Sequence, residues 1–115
     1  VILHIYELVA FGPVNQIAAL GQIGGALHTG VEVYGREWSF AGGDGEGSGV
    51  YAEEPRSERR HRYRESLVLG ITVLSEAEVT ALTAELNLAW RAPDYHWLRR
   101  NCLGFCNEFC GRLGV

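Results

Sequence analysis

The chain of 115 residues has no lysine, no methionine, only three prolines and only three cysteines. The lack of lysine carries no functional reading. A chain that opens at Val1 without any methionine is expected to be a segment trimmed at one or both ends. No positively charged stretch precedes an apolar one, so a secretory leader is not expected. Apolar runs such as Val1–Ile5, interrupted by His4, fall far below the ~18 residues that a spanning helix requires. No membrane span is therefore expected, and the chain reads as soluble. Concentrated positive charge is also missing. The net charge is −4, and the one cationic stretch, from Glu53 to Glu65, sets five arginines against four glutamates. Phosphate backbones are held by clustered cations. A nucleic-acid partner is thus disfavoured, and this stretch reads as a solvated loop and strand face. Three cysteines, an odd number, without a leader argue for a reduced chain in the cytoplasm, or also the nucleus, and against a disulfide scaffold.

What is present fits one domain spanning residues 1–115, with 47% apolar residues and a length within the common range for a single core. VILHIYEL, Val1–Leu8, is rich in β-formers and is expected as an interior strand. Val14, Ile17, Ala18 and Leu20 mark a short helix within Phe11–Leu20, ended by glycines. From His28, HTGVEVYGREWSF alternates polar and apolar residues on both sides of a turn signal at Gly35-Arg36, the pattern of a hairpin. The glycine-rich Gly42–Gly49 is expected as a loop. It lacks the strand–turn–helix context that a dinucleotide site requires. Ser66–Leu74 reads as a further strand. Ser75 and Glu78 form a capping box opening a helix to about Trp90, with Val79, Leu82, Leu86 and Ala89 on one face. Ala92-Pro93-Asp94 breaks the chain, and Tyr95–Arg100 reads as a short helical or turn segment. Asn101 is expected to cap a last helix, Cys102–Leu113, stopped by Gly114. Irregular alternation of strands and helices indicates an α+β fold with an antiparallel sheet.

All three cysteines, Cys102, Cys106 and Cys110, fall in that last helix at four-residue intervals. With a rise of ~1.5 Å per residue, the first and third stand roughly 12 Å apart, so one tetrahedral metal cannot bind all three. No C-x-x-C is present, and neither His61 nor His96 has standard ligand spacing to a cysteine pair. No metal and no cofactor is expected. A disulfide within one helix would be poor in geometry. Cys106 and Cys110 read as packed thiols. Cys102 differs because it lies in the first turn, where free amides and the helix dipole favour a thiolate; for it, structural and nucleophilic readings stay open. A thiolate nucleophile needs a base that can also act as an acid, which directs attention to histidine. His4 reads as a core histidine and His61 and His96 as surface or structural ones. His28 opens a strand after a glycine-rich turn, where a ring can project toward a cleft. Glu32, about 13 Å along the strand from His28, is too distant to orient it.

HTGVEVYGREWSFAGG, SGVYAEEPR, YRESLVLG and YHWLRRNCLGFCNEFCGRLG together resemble the PPPDE family, the desumoylating-isopeptidase-like cysteine peptidases with a permuted papain-like fold. The resemblance runs over nearly the whole chain. Its diagnostic parts are a histidine opening an H-[TS]-G-[IV]-E-V-Y-G strand and a cysteine in an N-C-N-x-F motif at the start of a late helix. Carried across, it implies His28 as general base and Cys102 as nucleophile. Asn101 and Tyr95 are candidate oxyanion or substrate-binding residues beside the Cys102 amide, and Gly42 and Gly43 are candidates for the border of a narrow substrate channel. The implied activity is a thiol isopeptidase that removes ubiquitin or a ubiquitin-like modifier from protein lysines. The chain departs from the family pattern at Leu103-Gly104, where a polar residue normally follows the cysteine and where glycine loosens the first helical turn. Two alternatives accompany this reading: a thioesterase or lipid acyl-transfer enzyme on the same dyad, and a binding module with little turnover.

Overall fold

The structure, a computed structural model, describes residues 1–8, 27–43, 47–96 and 98–115. Five strands form one antiparallel sheet: β1 (Ile2–Leu8), β2 (Leu27–Val33), β3 (Arg36–Phe40), β4 (Val50–Glu53) and β5 (His61–Val68), in the spatial order β4-β3-β2-β1-β5. Two helices follow, α1 (Glu76–Ala89) and α2 (Cys102–Leu113). The architecture is the expected α+β fold with an antiparallel sheet. The helix expected within Phe11–Leu20 lies outside the described residues, as does part of the Gly42–Gly49 loop.

As expected, β1 is interior, paired with β2 on one side and β5 on the other. The β2–β3 hairpin turns on Tyr34-Gly35, one residue earlier than the turn signal, with φ of 49° and 75°. Two consecutive positive φ values make a type I′ turn, whose twist suits a two-residue hairpin and which glycine adopts without strain. The fourth strand placement differs from expectation. Pairing with β1 starts at Leu8↔His61 and ends at Ile2↔Val68, so the strand uses the charged half of the segment, and Leu69–Leu74 leaves the sheet with Ile71 and Val73 at 90% and 95% exposure. The reason is position: β5 is an edge strand held through backbone pairing to β1, and an edge strand tolerates solvated side chains that an interior one would not.

The helices cover one face of the sheet. Alternation along each strand sends Val31, Val33, Phe40 and Val50 to that face. There they meet Val79, Leu82, Leu86 and Trp90 from α1 and its end, and Phe105, Cys106, Phe109 and Leu113 from α2. Each large side chain buried here contributes roughly 1.5–3 kcal/mol. The α1 capping box is present in full, with Ser75 and Glu78 exchanging backbone bonds. Ala89, expected on the apolar face, is exposed; Trp90 fills the core instead, its ring packed edge-on against Phe40 and Phe105. Gly114 ends α2 at φ 82°, in the left-handed region.

The opposite face is polar yet largely buried. His4, His28, Glu37 and Ser39 are all at most 5% exposed. The Tyr6 hydroxyl and the Arg56 amide both donate to the Glu37 carboxylate. His4 is satisfied by Ser66 Oγ at 2.6 Å and by Glu32 at 2.8 Å. Gly30 sits directly beneath this network: a Cβ there would intrude on the Glu37 carboxylate and stand 2.7 Å from Ser39 Oγ. Gly30→Ala is therefore expected to lower stability by about 1–3 kcal/mol, as overpacking does. Urea denaturation checks this, and an unchanged midpoint would mean that Glu37 is free to move aside.

Candidate active site

The last helix presents its first turn to one end of the sheet. Asn101 caps it, its side-chain oxygen accepting the Gly104 amide at 2.9 Å. Glycine at position 104 thus leaves the first turn intact, with the cap bond formed. Cys102 follows as the first helical residue and is 6% exposed. Its sulfur rests against the backbone of β2, with the thiol 3.8 Å from the Leu27 carbonyl oxygen. Burial pushes the thiol up. Hydrogen bonds from the amides of Thr29, Leu103 and Cys102, with the Thr29 hydroxyl close by, offset only part of that effect. The helix-start environment expected to favour a thiolate is present, but desolvation outweighs it. Cys106 and Cys110 sit deeper along the same helix. The Thr29 hydroxyl donates to Cys106 Sγ at 3.4 Å, and burial pushes both thiols up.

Cys102, His28 and Tyr95 line one small cleft of about 160 Å³, with Leu27, Phe40, Gly42, Arg60 and His61. Tyr95 lies across Phe40 at 5.5 Å and against Gly42, where a Cβ would stand 2.7 Å from the Tyr95 Cβ. Asn101 is engaged as the helix cap. His96 is outside the cleft residues; its Nδ1 accepts the amides of Leu98 and Arg99 in a turn. Among the described residues, no cluster of three or more His, Cys, Asp or Glu is gathered as a metal would require.

His28 and Cys102 reach this cleft from different sides. Thr29, Val31 and Val33 face the helices, so alternation places His28 on the polar face. No direct hydrogen bond joins the His28 ring to the Cys102 sulfur. The ring packs against Tyr6, 5.6 Å away, and His61, 4.9 Å away between centroids. Its Nε2 is 3.2 Å from the Tyr51 hydroxyl and 3.8 Å from Glu58 Oε2. Glu58 is buried at 8% exposure. Burial alone would disfavour its charge, but hydrogen bonds from the Arg60 side chain and amide and from Tyr51 hold its carboxyl well below the usual range.

Sequence reasoning missed Tyr51, Glu58 and Arg60. Glu58 and Arg60 sit in the Glu53–Glu65 stretch, whose balanced charge resembles any solvated loop, and Tyr51 stands just before it. Only the β3–β4 pairing of Ser39 with Tyr51 and the turn after Glu54 bring them over His28. His61, read as surface or structural, lines the cleft with its Nδ1 buried and unpartnered among the described residues.

The family model described as "PPPDE putative peptidase domain" matches residues 1–115. The chain belongs to the PPPDE family. Similar curated proteins include a DeSI-like protein of Arabidopsis thaliana, 31% identical over 98% of this chain and 49% of its own length. A DeSI-like protein of Schizosaccharomyces pombe is 34% identical over 93% of this chain and 54% of its own. The desumoylating isopeptidase 1 homolog of Caenorhabditis elegans is 32% identical over 70% of this chain and 25% of its own. The PPPDE chain thus spans about half or less of the length of these relatives.

Burial shifts His28 down to about 4, His61 adding to the effect and Glu58 opposing it. An unfolded histidine protonates near pH 6.5. Between about pH 6.5 and 4 the unfolded chain therefore binds more protons than the folded one, and stability is lost as pH falls through that window. The His28 share is on the order of 3 kcal/mol. His28→Gln should remove it: the stability difference between parent and variant is expected to shrink by about that amount from pH 6.5 to pH 4 in denaturation curves. Parallel pH profiles for the two proteins would show that His28 is not held neutral by the fold.

Proposed function

We propose that this PPPDE domain is a thiol isopeptidase with a permuted papain-like arrangement, cleaving ubiquitin or a ubiquitin-like modifier from protein lysines. The observation that carries the reading is the cleft shared by His28 and by Cys102 at the start of α2, in a chain of a family described as peptidases. The name of the Caenorhabditis elegans relative, a desumoylating isopeptidase homolog, supports the substrate class.

In the proposed reaction His28, neutral at pH 7, takes the Cys102 proton as the sulfur attacks the isopeptide carbonyl. A C–S bond forms and negative charge moves to the carbonyl oxygen. The amides of Cys102 and Leu103 are the nearest donors for that charge, at a helix N-terminus suited to an anion. The tetrahedral species collapses with loss of the lysine amine, which receives the proton from His28, and leaves a thioester on Cys102. His28 then takes a proton from water, hydroxide adds to the thioester, and the modifier leaves with a free carboxylate while the thiol is restored. Tyr95, beside Cys102 in the cleft, is the side chain best placed to contact the C-terminal tail of the modifier. A narrow cleft favours a tail of small residues.

A second reading, a binding module with little turnover, is favoured by one observation: the Cys102 thiol is raised by burial and turned to the Leu27 carbonyl rather than to His28. A ubiquitin-like probe carrying a C-terminal electrophile separates the two. The isopeptidase reading expects covalent labelling of the parent, none of Cys102→Ala, and a rate at least ~100-fold lower for His28→Ala, the usual range for a lost general base. Tight non-covalent binding of the probe by parent and Cys102→Ala alike, with no adduct on either, would leave the binding module as the function.

A further inference from the structure

The polar face over His28 holds a second layer of order. Tyr51 Oη lies 2.9 Å from Glu58 Oε2 and donates its one proton to that carboxylate. Arg60 grips the same pair: its Nη2 donates to Tyr51 Oη at 2.9 Å and to Glu58 Oε2 at 3.0 Å, and its Nε to Glu58 Oε1 at 3.0 Å. The guanidinium also lies over the Tyr51 ring at 5.4 Å. Glu58 and Arg60 together fix the phenol's direction, since the carboxylate can only accept and the guanidinium can only donate. Toward His28, therefore, Tyr51 Oη has only a lone pair to offer. The ring nitrogen that meets it at 3.2 Å must be the protonated one.

We infer that Tyr51, locked by Glu58 and Arg60, is a positioning residue that sets His28 in the Nε2–H tautomer and so makes Nδ1 its basic nitrogen. The inference builds on the reading of His28 as the base for Cys102. Nδ1 is the ring nitrogen nearer the strand backbone, and the Cys102 sulfur rests on the backbone groups to either side of His28, the Leu27 carbonyl and the Thr29 amide. The opposite tautomer would place a proton on Nδ1 and leave Nε2, already facing Tyr51, as the ring's only acceptor. Tyr6 and His61 pack against the ring at 5.6 and 4.9 Å, and Tyr51 assigns its proton. The carboxylate thereby acts on the imidazole through a phenol, 3.8 Å from Nε2, instead of by direct contact.

The test is the tautomer itself, read from ¹⁵N chemical shifts of His28 in uniformly labelled protein at pH 7, with His28→Gln used to assign the signal. The parent is expected to show Nε2–H as the dominant form. Tyr51→Phe removes the acceptor and should give a mixture, with labelling of Cys102 by the electrophilic ubiquitin-like probe slowed roughly 10- to 100-fold, part of what general-base catalysis provides. Glu58→Leu tests the same relay without altering the phenol: with its acceptor removed, the Tyr51 proton can turn toward Nε2, so the Nδ1–H form should increase. This second variant also covers the case in which Tyr51→Phe does not fold. A parent already in the Nδ1–H form, or variants with unchanged tautomer populations, overturns the inference. The tautomer readout needs no turnover. A chain that never reacts at Cys102 yet changes tautomer on Tyr51→Phe would overturn the isopeptidase reading and uphold the Tyr51 assignment.

Discussion

The alternation of side chains along β2 governs this fold. Thr29, Val31 and Val33 turn to the helices, which sends His28, Gly30 and Glu32 to the other face, where water is nearly as scarce. One seven-residue strand therefore supplies a wall of the apolar core and the floor of a buried polar layer. A one-residue slip in its pairing with β1 would exchange those two sets and bury Glu32 among Phe105 and Phe109. The register is held from both sides. On the core face the aromatic cluster at Phe40, Trp90 and Phe105 admits only apolar groups. On the polar face Glu37 needs its donors from Tyr6 and Arg56.

Burying carboxylates and imidazoles is expensive unless each is met by hydrogen bonds. The polar layer meets that condition by pairing groups of opposite capacity. Glu37 takes Tyr6 and Arg56; Glu58 takes Tyr51 and Arg60; His4 takes Ser66 and Glu32. His28 is the exception that matters for chemistry. Its Nε2 is engaged, but no neighbour among the described residues stabilises its charge strongly enough to offset burial, so it stays neutral and free to accept a proton. A histidine already charged could not serve as a base, and one in open water would not be held in a single orientation.

Much of the fold was legible in the sequence because its signals are local. The capping box at Ser75–Glu78, the Asn101 cap, the Gly114 stop and the hairpin of β2 and β3 each depend on residues within a few positions of one another. The β5 boundary was not legible, since the more apolar half, Leu69–Leu74, scores better as a strand than the charged half that pairs with β1. Edge position decides this, and edge position belongs to the whole sheet. The same division runs through the site. His28 and Cys102 stand out by motif, whereas Tyr51, Glu58 and Arg60 gain meaning only once β4 lies beside β3. A buried glutamate two residues from an arginine is indistinguishable in sequence from a pair in solvent.

The raised thiol of Cys102 and a neutral His28 fit one mechanism better than another. In a preformed thiolate–imidazolium pair the helix start and the charged ring would stabilise the sulfur before substrate arrives. Here burial works against both charges, so the resting site holds a thiol and a free base. In the proposed reaction, proton transfer then accompanies attack, when the developing oxyanion gives the new positive charge on His28 a partner inside the same cleft. Under that proposal the site stays unreactive toward stray electrophiles and gains its nucleophile only with a bound carbonyl. The exposed Leu103 agrees with this proposal, in which the residue after Cys102 contributes its backbone amide while its side chain stays in solvent.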